Sequence, residues 1–286
     1  MVKQILTSRP TMEGAGVRLK RVFGSFEVPL FDPFLLLDHF GSKNPEDYLK
    51  GFPWHPHRGI ETVTYMLTGE VAHGDSMGNS GLIGSGDIQW MSAGSGIIHQ
   101  EMPREYDGLM QGFQLWVNLP AEKKMIEPKY RGITTDQIPT VEIGKVKVKV
   151  IAGEMGGIVG PVRDLVVDVE YFDVALPAGS SFERMPKAGY KTLAYVIDGA
   201  INADRNTIEA QHCALFTKNL NIKVESKSGS RFLFVSGKPL NEPVAWGGPI
   251  VMNTQEELET AFRELEEGNF IKTQKTVKPS KNYYKS

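Results

Sequence analysis

Apolar and polar residues alternate through most of this chain. Val17-Arg-Leu-Lys-Arg-Val-Phe23 sets hydrophobic positions against basic ones with period two, the pattern of a strand buried on one face. Lys145-Val-Lys-Val-Lys-Val150 repeats it without a fault. Residues 32–40 form an apolar run behind a proline turn and read as a fully buried strand. From Glu61 the strands come densely. Residues 62–67 are β-branched and aromatic. Segments 70–75, 86–91, 97–102 and 110–118 follow, separated by Gly69, Gly78-Asn-Ser-Gly81 and Ser92-Ala-Gly-Ser-Gly96. Short, closely spaced strands with glycine-rich turns predict an antiparallel sandwich or barrel, not a βαβ fold.

A second strand-rich block runs from about residue 165 to 236. Near the end the period changes. Thr254-Gln-Glu-Glu257 is a capping box, with Thr254 as N-cap and Glu257 three residues on. Leu258, Ala261, Phe262 and Leu265 then share one helical face, and Gly268 fits the stop. The spacing predicts a helix over 254–267. The tail at 272–286 carries five lysines and no acid and reads as a solvated arm.

The two strand blocks are copies of one plan. Glu61-Thr-Val-Thr-Tyr-Met-Leu-Thr-Gly69 aligns with Lys191-Thr-Leu-Ala-Tyr-Val-Ile-Asp-Gly199. The chain therefore divides into a first domain at 1–135 and a second at 136–271 that includes the helix. Residues 120–140, charged and proline-bearing, read as the passage between them.

Only the first copy carries chemistry. His55 and His57 stand two apart, as do His99 and Glu101. Side chains two apart on a strand point the same way. Two such pairs on facing strands offer three imidazoles and a carboxylate, donors suited to a divalent transition metal. At the repeat offsets, Met185, Lys187, Val224 and Ser226 stand in their places, so the second domain is expected to be metal-free. Glu61 is a rival carboxylate, since regular pairing would put it on the histidines' face.

Composition narrows the rest. With 286 residues, 41% of them hydrophobic, and a formal net charge of −2, nothing global argues for nucleic acid or an anionic membrane. Cys213 is the single cysteine; it sits in an apolar strand and reads as core. The N-terminus lacks a signal-peptide h-region, and no run of 18 apolar residues exists. A cytoplasmic protein without a membrane partner is expected. The 153–160 loop lacks the Lys-Ser/Thr of a phosphate cradle.

These residues resemble those of a known family. His55-Pro-His-Arg-Gly59 with Glu61, and Ser92, Gly94 and His99 downstream, resemble the two motifs of the cupin superfamily. Asp32-Pro-Phe-Leu-Leu-Leu-Asp38, Glu61-Thr-Val-Thr-Tyr65, Gly94-Ser-Gly-Ile-Ile-His-Gln-Glu101 and Gln114-Leu-Trp-Val-Asn-Leu-Pro120 narrow the resemblance to the pirin family. The resemblance implies an all-β bicupin, two antiparallel β-barrels in tandem, with a C-terminal α-helix. It implies a metal in the first barrel, iron(II) first, with manganese, nickel, copper and zinc as alternatives. The implied ligands are His55, His57, His99 and Glu101.

The activity implied is that of a quercetin dioxygenase. A flavonol ring is opened by dioxygen with loss of carbon monoxide. Glu101, the carboxylate placed beside His99 on the metal face, is expected to double as the base for the substrate hydroxyl. The alternative implied is a redox-sensing regulator of a transcription factor or metabolic enzyme. Phe52, Trp54, Met91 and Trp116 flank the motifs as core residues that a flat ligand would also stack on. Arg58 is expected either to pair with Asp38 or to steady an anionic substrate. His39, His73 and His212 lie outside paired motifs and read as ordinary core or surface residues.

Overall fold

The computed structural model describes residues 1–273. All but the start of the basic tail lies outside the described residues. Strands account for nearly all the regular structure, with one α-helix among the described residues, Gln255–Glu266. That helix starts as the sequence predicts. Thr254 Oγ1 accepts from the Glu257 amide at 3.2 Å, and the Glu257 carboxylate accepts from the Thr254 amide at 3.0 Å. No described helix is long and apolar enough to cross a membrane.

The chain forms two compact units, and they do not follow the sequence halves. One joins residues 1–9, 22–34 and 136–240; the other joins 10–21, 35–135 and 241–286. One break between the units falls at 135/136; residues 1–9 and 22–34 group with 136–240, and the helix groups with 35–135. In exchange, strand Val2–Thr7 pairs antiparallel with His212–Phe216 in the other unit. Residues 120–140 are also more than a passage. Strand Lys129–Ile133 inside them pairs with Ile88–Ser92.

In the unit built on 35–135, a seven-stranded sheet runs in the order Lys129–Ile133, Ile88–Ser92, Ile60–Thr68, Met110–Asn118, Phe34–Ser42, Val17–Phe23, Arg9–Glu13. A four-stranded sheet holds Phe52–His57, Ile97–Pro103, Val71–Asp75 and Ser80–Ile83. The interior has two characters. One cluster is apolar: Val17, Leu19, Phe40, Met66, Val71, Ile83 and Met110. The other part carries histidine, threonine and glutamine. The second unit has a mainly apolar interior, from Val146 and Phe172 to Phe232 and Phe234, with the hydrogen-bonded pair Thr192 and Ser236 buried beside it. Cys213 is fully buried there, and burial pushes its thiol pKa up, so it is core as expected.

The strand ladder also corrects the repeat alignment. His99 lies opposite His55, and Val224 lies opposite Phe182. The counterpart of His55 is therefore Phe182, not Met185. The loops before the two strands differ in length, and a single offset cannot carry through both.

Candidate metal centre

Strands Phe52–His57 and Ile97–Pro103 bring three imidazoles together. His55 Nε2 lies 3.0 Å from His57 Nε2 and 2.9 Å from His99 Nε2. Facing ligand atoms of all three lie within 4.8 Å of one another, and no other set of three or more such donors occurs among the described residues.

The second nitrogen of each ring decides what the cluster can do. His55 Nδ1 lies 2.8 Å from the Pro53 carbonyl, and His57 Nδ1 lies 3.0 Å from the Pro249 carbonyl. A carbonyl only accepts, so each Nδ1 carries the proton. In the neutral rings both Nε2 atoms then present lone pairs to each other at hydrogen-bond distance. That contact is repulsive until a cation stands between them. Fixing the tautomer from behind is how proteins prepare an imidazole to ligate metal. The donor set fits a divalent ion.

Burial keeps the rings neutral. It lowers the pKa of His55 and lowers those of His57 and His99 well below the usual 6.5, with the neighbouring imidazoles adding to the effect on the last two. Between those lowered values and 6.5 the unfolded chain binds protons that the folded apoprotein does not. This contribution to stability is present above pH 6.5 and is lost as pH falls, at about 1.4 kcal/mol per pH unit for each such histidine. The apoprotein should melt at a clearly lower temperature at pH 5 than at pH 7.5. The drop should be smaller in His99→Val; equal drops would count against neutral buried rings.

Glu101 lies on the same strand as His99, but a register shift separates them where the strand meets Phe52–His57. It stands outside the histidine cluster. Its Oε1 accepts from Thr64 Oγ1 at 2.6 Å. Burial raises its pKa, and the Thr64 bond opposes that.

Glu61 does not face the histidines. Its carboxylate accepts from the Ser92 hydroxyl and, at 3.1 Å, from Trp90 Nε1. Thr64 faces Glu101, so Glu61, three residues earlier, lies on the opposite face of its strand. The parity argument fails because the chain turns at Gly59 (φ 78°) and changes sheet between His57 and Ile60. Cβ at Gly59 would meet the Val251 carbonyl oxygen at 2.0 Å.

Arg58 takes neither role foreseen for it. It is 2% exposed. It donates to the Ser95 carbonyl, to Glu264 and to the Phe270 carbonyl, each at 2.8 Å, with its guanidinium 4.1 Å above the Phe270 ring. Asp38 is held instead by Arg21. Lys124, which sequence reasoning passed over, is 1% exposed. Its Nζ donates to the Gly59 carbonyl at 2.9 Å, to Asn118 Oδ1 at 2.7 Å and to the Val251 carbonyl at 2.9 Å. Burial pulls its pKa down to about 7, against the charges of Glu242 and Glu257, which favour the ammonium. Lys124 fastens the turn after His57 to the segment that carries Pro249, and Arg58 fastens it to the helix and to Phe270.

Of the flanking residues, Met91 is core at 1% exposure. The Trp116 ring stands edge-on to His57 at 5.1 Å and lies 5.8 Å from Trp246. Phe52 packs against the apolar cluster and Trp54 against the helix side. His39 bonds Gln111, His73 bonds Tyr130, and His212 bonds the Ala210 carbonyl; none joins the cluster.

Known proteins agree with this architecture. The Pirin family profile matches residues 16–117, and the Pirin C-terminal cupin domain profile matches 171–271. A pirin-like protein of Caulobacter vibrioides is 47% identical over 271 residues, covering 94% of this chain and 98% of its own length. A Pseudomonas aeruginosa protein named "Putative quercetin 2,3-dioxygenase" is 44% identical over 275 residues, covering 93% of this chain and 96% of its own. The crystal structure of a quercetin 2,3-dioxygenase from Acinetobacter baumannii aligns with a TM-score of 0.88 at 33% identity, covering 94% of this chain and 97% of that one. The fold is that of two cupin domains, and the chain belongs to the pirin family.

Proposed function

We propose that this protein is a metal-dependent dioxygenase of flavonol-like substrates such as quercetin. The observation that carries the reading is the pair of imidazoles tied to backbone carbonyls through Nδ1 while their Nε2 atoms meet at 3.0 Å. Such a pair is prepared for a cation. Relatives named for quercetin 2,3-dioxygenase supply the reaction class. In that reaction dioxygen opens the heterocycle of the flavonol and one ring carbon leaves as carbon monoxide.

His55, His57 and His99 are the proposed holders of the ion, with Glu101 as the fourth ligand. Iron(II) is the first assignment, following the family resemblance; manganese, nickel, copper and zinc suit the same nitrogen and oxygen donors. When bound, the ion supplies Lewis acidity and a partner for dioxygen. The residues do the rest. Thr64 fixes Glu101 Oε1 and leaves the other oxygen for the ion or for a substrate proton. Burial makes that carboxylate a stronger base than one in water, suited to the 3-hydroxyl of a flavonol. Trp116, edge-on to His57, offers an aromatic surface to a flat ligand.

The test is loss of quercetin absorbance under air, with protein reconstituted with iron(II) and with metal-stripped protein beside it. Decay that depends on the metal is expected. Quercetin left intact by the loaded protein would refute the reading. Glu101→Gln then separates that residue's two roles. Retained metal with turnover lowered about a hundredfold or more is expected of the base. Metal loss would assign ligation, and unchanged turnover would remove the base role.

A further inference from the structure

The interior face of the seven-stranded sheet carries a polar row of which the proposed chemistry uses only Thr64. Thr64 faces Glu101, and Thr62 lies on the same face two residues earlier. Across the neighbouring strands, Thr64 stands opposite Gln89 and Gln114, and Thr62 opposite Met91 and Trp116. Trp116 touches His57. Through Trp116 and Glu101 the row borders the histidine cluster.

Two atoms of the row want a partner. Thr62 and Gln89 are each 1% exposed, yet Thr62 Oγ1 and Gln89 Oε1 have no hydrogen-bond partner. Buried polar atoms are nearly always satisfied, and leaving one bare is destabilising. The Gln89 amide is already oriented, because its side chain bonds Tyr130, whose hydroxyl meets His73 Nε2 at 2.8 Å. Its bare oxygen is an acceptor only and asks for an O–H or N–H. The Thr62 hydroxyl both gives and takes.

The twin unit shows that the fold does not require Gln89, and that a buried threonine at the place of Thr62 finds a partner there: Thr192 shares a hydrogen bond with Ser236 at 2.9 Å, where Thr62 stands opposite Trp116. By the repeat, Thr64 corresponds to Ala194. Ala194 stands opposite Ala214 and Phe234, where Thr64 stands opposite Gln89 and Gln114. All three replacements are in the apolar core. The same unit has Phe182 and Val224 where the other has His55 and His99. Thr64, Gln89 and Gln114 accompany the histidines and are replaced by apolar residues without them; at the place of Thr62 the threonine stays but has a hydrogen-bond partner.

We propose that Thr62 and Gln89 are specificity residues of the ligand site at the histidine cluster, reading hydroxyl groups of the ligand by hydrogen bonds. The inference rests on the flavonol reading and narrows it to polyhydroxylated members of that class. Gln114, whose Oε1 lies 2.7 Å from Thr64 Oγ1, ties the row to Glu101 and is a positioning residue.

The experiment measures binding under argon, so that nothing turns over, by quenching of tryptophan fluorescence in metal-loaded protein. The probes are quercetin and 3-hydroxyflavone, which share the chelating edge and differ in the remaining hydroxyls. Wild type should prefer quercetin by about tenfold or more. Thr62→Val and Gln89→Leu should each cut that preference to about twofold by weakening quercetin alone. Thr62→Ser should restore it. Gln89→Met replaces Gln89→Leu if the leucine variant does not fold.

A preference unchanged in both variants overturns the assignment while leaving the flavonol reading in place. Failure of wild type to bind quercetin at all overturns the flavonol reading and this inference with it. A lower melting temperature with the preference intact would mean that the row only supports the barrel, and would also overturn the inference.

Discussion

Valine at position 99 should empty the metal centre without unfolding the barrel. The His99→Val protein is expected to bind a divalent ion at least about a hundredfold more weakly than wild type, because losing a ligand should exceed the 10- to 100-fold seen for losing a ligand's hydrogen-bond partner. That is about 2.7 kcal/mol of binding. His99 Nε2 stands 2.9 Å from His55 Nε2, and its removal leaves two imidazoles and no closed set. The fold should tolerate the change because the other unit already carries valine at this place. Val224 lies opposite Phe182 as His99 lies opposite His55, and both are buried there. Valine also removes a lone pair from a crowd of three. The apo forms of variant and wild type should therefore melt within a few degrees of each other. Metal content after dialysis against a competing chelator, with melting curves of both apoproteins, decides it. A full equivalent of ion retained by His99→Val would place the centre elsewhere.

The parts legible in the sequence were those with a local signature. Strand Met110–Asn118 was bounded to the residue, because Leu119-Pro120 closes it. The capping box gave the helix start, because Thr254 and Glu257 satisfy amides within one turn. The histidines came from spacing alone. His55 and His57 share a face of one short strand, and His99 reaches them through a single cross-strand pairing.

What was not legible depends on contacts between distant parts of the chain. Val2–Thr7 pairs with His212–Phe216 across some two hundred residues, and no periodicity in a ten-residue N-terminus specifies that partner. The helix has one apolar face, and its sequence does not name which barrel covers it. Glu61 was placed on the wrong face because period two holds only within an unbroken strand, and the chain turns at Gly59. Read locally, Arg58 suits Asp38 or an anionic substrate, and Lys124 carries no local signal at all. Charged residues are rarely fully buried, and only the folded carbonyls of Gly59, Ser95, Val251 and Phe270 reveal why these two are.

Lys124→Met should destabilise the protein by about 3 kcal/mol or more and weaken metal binding at the same time. Three acceptors converge on Lys124 Nζ: the Gly59 and Val251 carbonyls and Asn118 Oδ1. Methionine matches the stem of lysine and fills its volume, so the cavity term is small. The cost comes from the acceptors left behind. Each buried acceptor without a partner costs about 1–3 kcal/mol, reduced here by the relief of removing a buried charge. The second effect follows from where two of them sit. Gly59 is two residues beyond His57, and Val251 is two residues beyond Pro249, whose carbonyl holds His57 Nδ1 at 3.0 Å. Loosening both ends frees the ring that the carbonyl orients. Loss of such a hydrogen-bond partner typically lowers metal affinity by about 10- to 100-fold. Urea unfolding of the apoprotein reads the first effect, and chelator competition on folded protein at low denaturant reads the second. A variant of wild-type stability would mean that the three oxygens find water when the ammonium is gone. A destabilised variant with unchanged metal affinity would mean that Pro249 holds His57 without help from this clamp.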